Sequence, residues 1–439
     1  LAVMTAFMLI FLTPHQARAA DSGVTSFKLA NGLEVCVIPD HRVPVVTHMV
    51  WYRVGAADDP PKMAGTAHFL EHLMFKGTTH HKTGDFTKIV TELGGRHNAH
   101  TTHDTTSYYQ RTDKKNLKQM MELEADRMAN LQFVPKEVTT ERSVVQEERR
   151  GTIGGNPISA LNEKMLAGLY DKSPYRRPVL GTAKTIAGLT LANEKAFYKA
   201  HYGPNNAILV VAGDVTPDEV RRLAEEIYGK IPRNPNIKPR HRAKEPPHKA
   251  PRHVTVEDAR AGAPIVLRYY RVPGLTGPPK VRAALSVLAR ILGGDDTSRL
   301  YRKMVLTDKV AAQAGADYQG GGLDESRMAL LAVARGKVGP KELAAEFDKT
   351  IKELISTGVS EKELQRAKTV LETNYVFNTD NQEARAKRYG QALDFGLTVA
   401  DVEAELPDIM KVTAADVLDA AKTYLNINES ITGYLIKPQ

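Results

Sequence analysis

Cysteine is almost missing from this chain of 439 residues: Cys36 is the only one, so no internal disulfide can form. It sits in the apolar run Val35-Cys36-Val37-Ile38 and reads as a small buried core residue. A run long enough for a comfortable membrane span is missing too, since the N-terminal apolar stretch Leu1–Leu12 falls well short of the roughly 20 residues needed. Acidic residues do not balance basic ones, which leaves a net charge of +9. The stretch Ile231–His253 holds seven Lys or Arg against one Glu, six of those nine charges. No nucleic-acid motif accompanies them, so they mark a basic linker and no nucleic-acid partner is expected.

What is present suits a soluble globular protein, with 42% hydrophobic and 25% charged residues. The length fits two domains of about 200 residues each. Leu1–Leu12 followed by Ala17-Arg18-Ala19 has the apolar core and A-x-A cleavage pattern of a secretory signal. The basic residues that usually precede such a core are missing. The expected division is a signal-like segment at 1–20, a first domain at 21–230, a linker at 231–253 and a second domain at 254–439. Export implies a periplasmic location, with a retained N-terminal anchor as the alternative.

Along the chain, Thr25–Ala30 and Glu34–Pro39 alternate around Asn31-Gly32, a hairpin signal. Val45–Val54 reads as a strand, and Asp85–Leu93 as an amphipathic helix stopped by Gly94-Gly95. Strands follow across Arg96–His103 and Thr105–Thr112, then helices at Lys115–Leu131, Val138–Gly151 and Ile158–Tyr170. Asn206–Val211 reads as a buried strand, and Thr216 as the N-cap of a helix over Pro217–Tyr228. Strands arrive in hairpins as well as between helices, so the class is α+β, with mostly antiparallel or mixed sheets covered by helices. The prolines between Pro232 and Pro251 predict an extended, semi-stiff connection.

The two sides of that connection look like copies. Tyr52-Arg53-Val54 and Pro60-Pro61-Lys62 recur as Tyr270-Arg271-Val272 and Pro278-Pro279-Lys280, at an offset of 218. Lys199–Val215 and Lys422–Pro438 share an aromatic, Asn-containing turns and a terminal strand. Internal duplication accounts for both.

Within the first copy, Ala67-His68-Phe69-Leu70-Glu71-His72-Leu73-Met74 places two histidines one helical turn apart on one face. Both imidazoles can then reach one metal ion, with Glu71 at the flank where a carboxylate meets water; H-x-x-E-H is the reverse of the zinc-protease H-E-x-x-H. Shifted by 218, His68, Glu71 and His72 fall on Ser286, Ala289 and Arg290. The second copy keeps the helix and drops every candidate metal group, which favours a chemical role in the first. A catalytic zinc takes three protein ligands. The third has several candidates: the cluster His97, His100 and His103, the pair His80-His81, and the acidic helix carrying Glu141, Glu147 and Glu148. On a strand His97 and His103 face away from His100, so that trio does not converge without a bend. Glu141 and Glu148, seven apart, share a helix face.

The ordered set Ala67–Met74, Gly94-Gly95, Asn98-Ala99-His100-Thr101, Asp104, Thr106, Tyr108-Tyr109, Glu141-Arg142, Glu148, Gly203-Pro204-Asn205-Asn206 and Val210-Val211-Ala212-Gly213-Asp214-Val215 resembles the pitrilysin/insulinase family of inverted zincins. The nearest branch is the bacterial one similar to mitochondrial processing peptidase. The resemblance implies one zinc per chain, held by His68, His72 and Glu148, with Glu141 supporting them and Glu71 as the proton-transferring group. It also implies that Asn98, Ala99, His100 and Thr101 form an edge strand to which a peptide substrate adds. Single-chain members carry an Arg and a Tyr in the second half that face the zinc; aligned on Ser298-Arg299-Leu300-Tyr301, those positions hold Val305 and Ala312, with Arg302 and Tyr318 out of register. In the two-chain branch a zinc-less partner supplies that pair. The resemblance therefore implies a zinc endopeptidase acting on extended peptides, as the zinc-bearing subunit of a heterodimer, with a homodimer as the alternative. A non-catalytic assembly subunit of the same fold is the competing function; such members typically show a broken zinc motif.

Overall fold

A computed structural model describes residues 23–438; the signal-like segment at 1–20 lies outside the described residues. Two sheets organise the chain. In the first, Thr25–Lys28, Glu34–Pro39, Ala207–Gly213, Val45–Tyr52, Thr106–Asp113 and Arg96–Thr101 lie side by side in that order. In the second the order is Ala311–Gln319, Ser326–Ala334, Ile265–Val272, Ser430–Ile436 and Arg252–Glu257. Each is mixed: Glu34–Pro39 runs parallel to Ala207–Gly213, and Ser430–Ile436 parallel to Arg252–Glu257, while the other pairs within these two sheets are antiparallel. Ala207–Gly213 is buried along its whole length, which is why it reads as a continuous apolar run without alternation.

The duplication is visible strand by strand. Tyr52 and Tyr270 fall near the ends of equivalent central strands, each flanked by an antiparallel neighbour from later in its own half. Pro204–Asn206 and Ile427–Glu429 form matching helical turns before the strands Ala207–Gly213 and Ser430–Ile436. In the second half Pro279–Gly293 takes the place of the helix Thr66–Leu73. There Ala289 packs in the core, Ser286 donates to the Arg282 carbonyl and Arg290 pairs with Asp295 at 2.8 Å.

The hairpin at Asn31-Gly32 closes with a longer loop than a two-residue turn, since the last strand pair is Lys28 with Glu34. The Asn31 amide donates to the carbonyls of Tyr228 (2.8 Å) and Ile231 (2.9 Å), so the loop is shaped by the end of the first half. Cys36 is fully buried.

Two features depart from a simple picture of two beads on a string. The outer face of each sheet is covered by a helix from the other half. Pro157–Leu169 sets Leu161, Met165 and Leu169 against Leu267, Ile431 and Leu435. Gln382–Asp394 sets Ala386, Tyr389, Ala392 and Leu393 against Cys36, Met49, Trp51 and Val210. Gly390 permits the second crossing, because a Cβ there would lie 2.1 Å from Trp51 Nε1. The connection at 231–251 carries no regular helix or strand and is not a free spacer. Arg242 reaches Asp58 (3.1 Å), Asp104 (3.4 Å) and Asp324 (3.6 Å), and Arg240 reaches Asp58 (3.3 Å). Glu245 accepts the backbone N–H of Ser173 at 2.7 Å, and the His248 ring bonds the Leu169 carbonyl. Part of the basic run is therefore buried and neutralised at the junction of the halves.

Candidate metal centre and peptide-binding edge

The helix Thr66–Leu73 begins at a fixed point. Both oxygens of buried Asp59 accept its first N–H groups, from Gly65 at 2.6 Å and Ala67 at 2.8 Å, which satisfies donors the helix cannot. Gly65, at φ +99°, lies against the Leu180 carbonyl, where a Cβ would come within 2.8 Å. Ala67, Phe69, Leu70 and Leu73 bury the inner face. His68 and His72 are left toward the helix Pro135–Arg149, whose Val138 and Val145 are core residues and whose Glu141 and Glu148 continue the same face.

The two faces meet as a three-residue cluster. Glu148 Oε2 lies 3.2 Å from His72 Nε2 and 3.7 Å from His68 Nε2. The three ligand atoms lie within 4.8 Å of one another. Tetrahedral zinc with bonds near 2.1 Å holds its ligand atoms about 3.4 Å apart, so this donor set fits a single zinc ion. His72 Nδ1 faces Glu141 Oε2 at 3.3 Å, and Lys76 Nζ holds the other Glu141 oxygen at 2.6 Å. Glu71 accepts a hydrogen bond from the Thr101 hydroxyl.

The electrostatics agree with a cation site. Burial pushes His68 down to about 4, helped by the neighbouring His72, so its lone pair is free near neutral pH. Burial opposes charge on His72 as well, but the Glu148 and Glu141 carboxylates and the charge of Glu71 outweigh it and raise that imidazole. A site that attracts a proton in this way also attracts a divalent ion. The hydrogen bond with His72 holds the Glu148 carboxyl low. Burial raises Glu71, against the hydrogen bond from Thr101.

Among the described residues Arg96–Thr101 is the last strand of its sheet and leaves one edge unpaired. Asn98, Ala99, His100 and Thr101 border a cavity of about 850 Å³ shared with His68, Glu71, His72, Glu141 and Glu148. His100 borders the same cavity without joining the three-residue cluster, while four other candidates are engaged elsewhere. His97 packs between Phe75 and Phe86, His103 lies against Tyr175 and bonds the Arg177 carbonyl, and His80 binds Asp126 at 2.5 Å. Glu147 pairs with Arg150 at the surface.

Comparison with known proteins places this arrangement. Residues 34–183 match the family described as insulinase (peptidase family M16), and residues 188–371 match the peptidase M16 inactive domain. Zinc protease PqqE of Helicobacter pylori is 30% identical over 420 residues, spanning 93% of this chain and 92% of that protein. The chain belongs to peptidase family M16.

An uncharacterized zinc protease of Mycobacterium leprae is 29% identical over 419 residues, with 93% of this chain and 91% of that protein covered. The crystal structure of a protease from Helicobacter pylori superposes with a TM-score of 0.89 at 29% identity, covering 94% of this chain and 99% of that one. The periplasmic protease PqqL of Escherichia coli has the same fold, with a TM-score of 0.82 at 20% identity, over 95% of this chain and 48% of that one. The M16 inactive-domain match falls mainly on the half whose helix carries Ser286, Ala289 and Arg290 in place of the metal groups.

Two further residues beside this cluster, Lys76 and Asp59, are not among the candidates drawn from the sequence. The four-residue spacing of Lys76 from His72 was a weak signal, because Lys76 lies past the end of the helix Thr66–Leu73 and its partner Glu141 comes from another helix. Asp59 carried no such signal, since its role depends on a chain reversal through Pro60-Pro61.

Proposed function

We propose that this chain is a zinc-dependent endopeptidase that hydrolyses extended peptides or unfolded segments in the periplasm. The observation that carries the reading is the convergence of His68, His72 and Glu148 beside Glu71 and an unpaired strand edge. His68, His72 and Glu148 would hold the zinc. The chemistry a bound zinc supplies is Lewis acidity, which activates the scissile carbonyl and makes water easier to deprotonate. Glu71 takes the proton from the attacking water and returns it to the leaving amine. Its burial suits that task by raising its proton affinity. Thr101 ties Glu71 to the edge strand, so the proton carrier and the peptide-pairing backbone keep a common register. A substrate added along Asn98–Thr101 is held through main-chain hydrogen bonds, which demands an extended segment and tolerates varied side chains.

The same reading includes a partner. Every residue bordering the site cavity lies between His68 and Leu180, so the second half contributes none of the described lining. Val305 is buried in the second core, Arg302 borders a separate cavity with Thr350 and Glu353, and Tyr318 donates to the Pro273 carbonyl at 2.7 Å. A homologous zinc-less chain completes the site, with a second copy of this chain as the alternative occupant. Among the described residues no helix is long and apolar enough to cross a membrane.

Glu71→Gln tests the chemistry: zinc content should match the native protein while hydrolysis of an unfolded substrate disappears. Full activity in that variant, with contaminating protease excluded, would remove Glu71 from the mechanism. Strong activity of this chain alone, unchanged by an added zinc-less homologue, would remove the partner.

A further inference from the structure

Lys76 follows His72 by one helical turn and lies just past the end of the helix Thr66–Leu73. Its ammonium is 2.6 Å from Glu141 Oε1, and the other oxygen of that carboxylate faces His72 Nδ1 at 3.3 Å. Glu141 is nearly sealed from solvent, with its side chain 9% exposed, and Lys76 is 21% exposed. A carboxylate this buried needs a countercharge, and it has two partners, one on each oxygen. We propose that Lys76 is a positioning residue that clamps Glu141 against His72, so that the imidazole keeps its proton on Nδ1 and presents Nε2 to the metal. This rests on the metallopeptidase reading, because it assigns His72 as a ligand.

One observation strengthens the assignment. His68 Nδ1 is buried and has no hydrogen-bond partner among the described residues, so of the two imidazoles only His72 is oriented from behind. Ligand-orienting hydrogen bonds of this kind typically contribute 10- to 100-fold in metal affinity. Without Lys76 the Glu141 carboxylate keeps a single partner and can rotate away from it. A lysine that merely tied the two helices together would affect folding stability and leave metal affinity alone.

The experiment compares full-length wild type with Lys76→Met, Lys76→Arg, Glu141→Gln and the double variant K76M/E141Q. Zinc affinity is measured by chelator competition, and thermal stability on the metal-free forms. The expected result is a loss of about tenfold or more in zinc affinity for K76M, most of it recovered in K76R. The double variant should bind zinc no more weakly than E141Q alone, since both changes break one relay. Should K76M not fold, Lys76→Gln, which keeps a donor without the charge, is read in the same way. Unchanged zinc affinity in K76M, with only its metal-free stability lowered, overturns the relay and leaves the peptidase reading standing. A wild-type chain that takes up no zinc overturns both.

Discussion

Asp394 is the last residue of the helix Gln382–Asp394 that crosses onto the first sheet. It is 3% exposed, and neither carboxylate oxygen has a hydrogen-bond partner among the described residues. Burial pushes its carboxyl from 3.8 up to about 7, against the pull of Arg240 and Arg53 and with added repulsion from Asp104 and Asp58. Its place at a helix C-terminus adds further negative potential. Because the folded value lies above the unfolded one, the folded state binds more protons between pH 3.8 and 7, and stability falls as pH rises through that window. A gap of about three pH units, at 1.36 kcal/mol each, makes the full penalty about 4 kcal/mol above pH 7.

Asp394→Asn removes the charge at nearly constant shape. Amide hydrogens left without acceptors there would cost about 1–2 kcal/mol, so about 2–3 kcal/mol of net stabilisation is expected at pH 8. At pH 5 the wild-type penalty has fallen to about 2 kcal/mol, and the difference should be close to zero. In a chain this long 1 kcal/mol moves Tm by about 1 °C, so the variant should melt about 2–3 °C higher at pH 8 and level with wild type at pH 5. Thermal unfolding of both proteins in excess EDTA, at several pH values, cancels the titrations they share. A variant no more stable than wild type at pH 8, or a gap that does not narrow on acidification, refutes the assignment of a buried, unpaired carboxylate.

Three further outcomes are expected. Asp59→Ala leaves the Gly65 and Ala67 N–H groups unsatisfied, so chemical denaturation should show a loss of about 1–3 kcal/mol and chelator competition a weaker zinc site. Arg242→Met strips the shared cation from Asp58, Asp104 and Asp324; breaking a buried pair on one side should cost about 3–5 kcal/mol, and a native-like Tm at neutral pH would show those carboxylates to be solvated. Zinc at 1,000 times its dissociation constant should stabilise the metal-free chain by about 4 kcal/mol, and scanning calorimetry showing no such rise would mean that the cluster at His68, His72 and Glu148 does not bind it.

The legible parts of this protein are those written into local spacing. His68 and His72 declare a shared face because four residues make about one helical turn, and the recurrence of Tyr-Arg-Val with Pro-Pro-Lys exposes the duplication without any contact being known. Glu148 could be selected only through the family resemblance, because spacing along a helix says nothing about which other helix it meets. Ile158–Tyr170 reads as a helix from its own pattern, whereas Gln382–Asp394 is not picked out, and nothing local tells either segment to cover the other half's sheet. Arg240 and Arg242 read only as basic linker residues because their carboxylates, Asp58, Asp104 and Asp324, are distant in sequence. Lys76 and Asp59 are ordinary residue types whose work appears only once two distant backbones have met.

The confinement of the metal groups to one copy has a physical reading. His68 and Glu141 are buried, and His72, Glu71 and Lys76 partly so; such groups are costly to desolvate unless each is paired or bound to a metal. The first half bears that cost on a helix of eight residues, pinned at its start by Asp59 and at its end by Lys76 with Glu141. The second half, without the chemistry, extends the equivalent helix to Gly293 and buries Ala283, Ala284, Leu285, Val287, Leu288, Ala289, Ile291 and Leu292 along it. It then returns a helix to cover the outer face of the first sheet. The apolar copy thus braces the polar one, while among the described residues it supplies no lining to the site cavity.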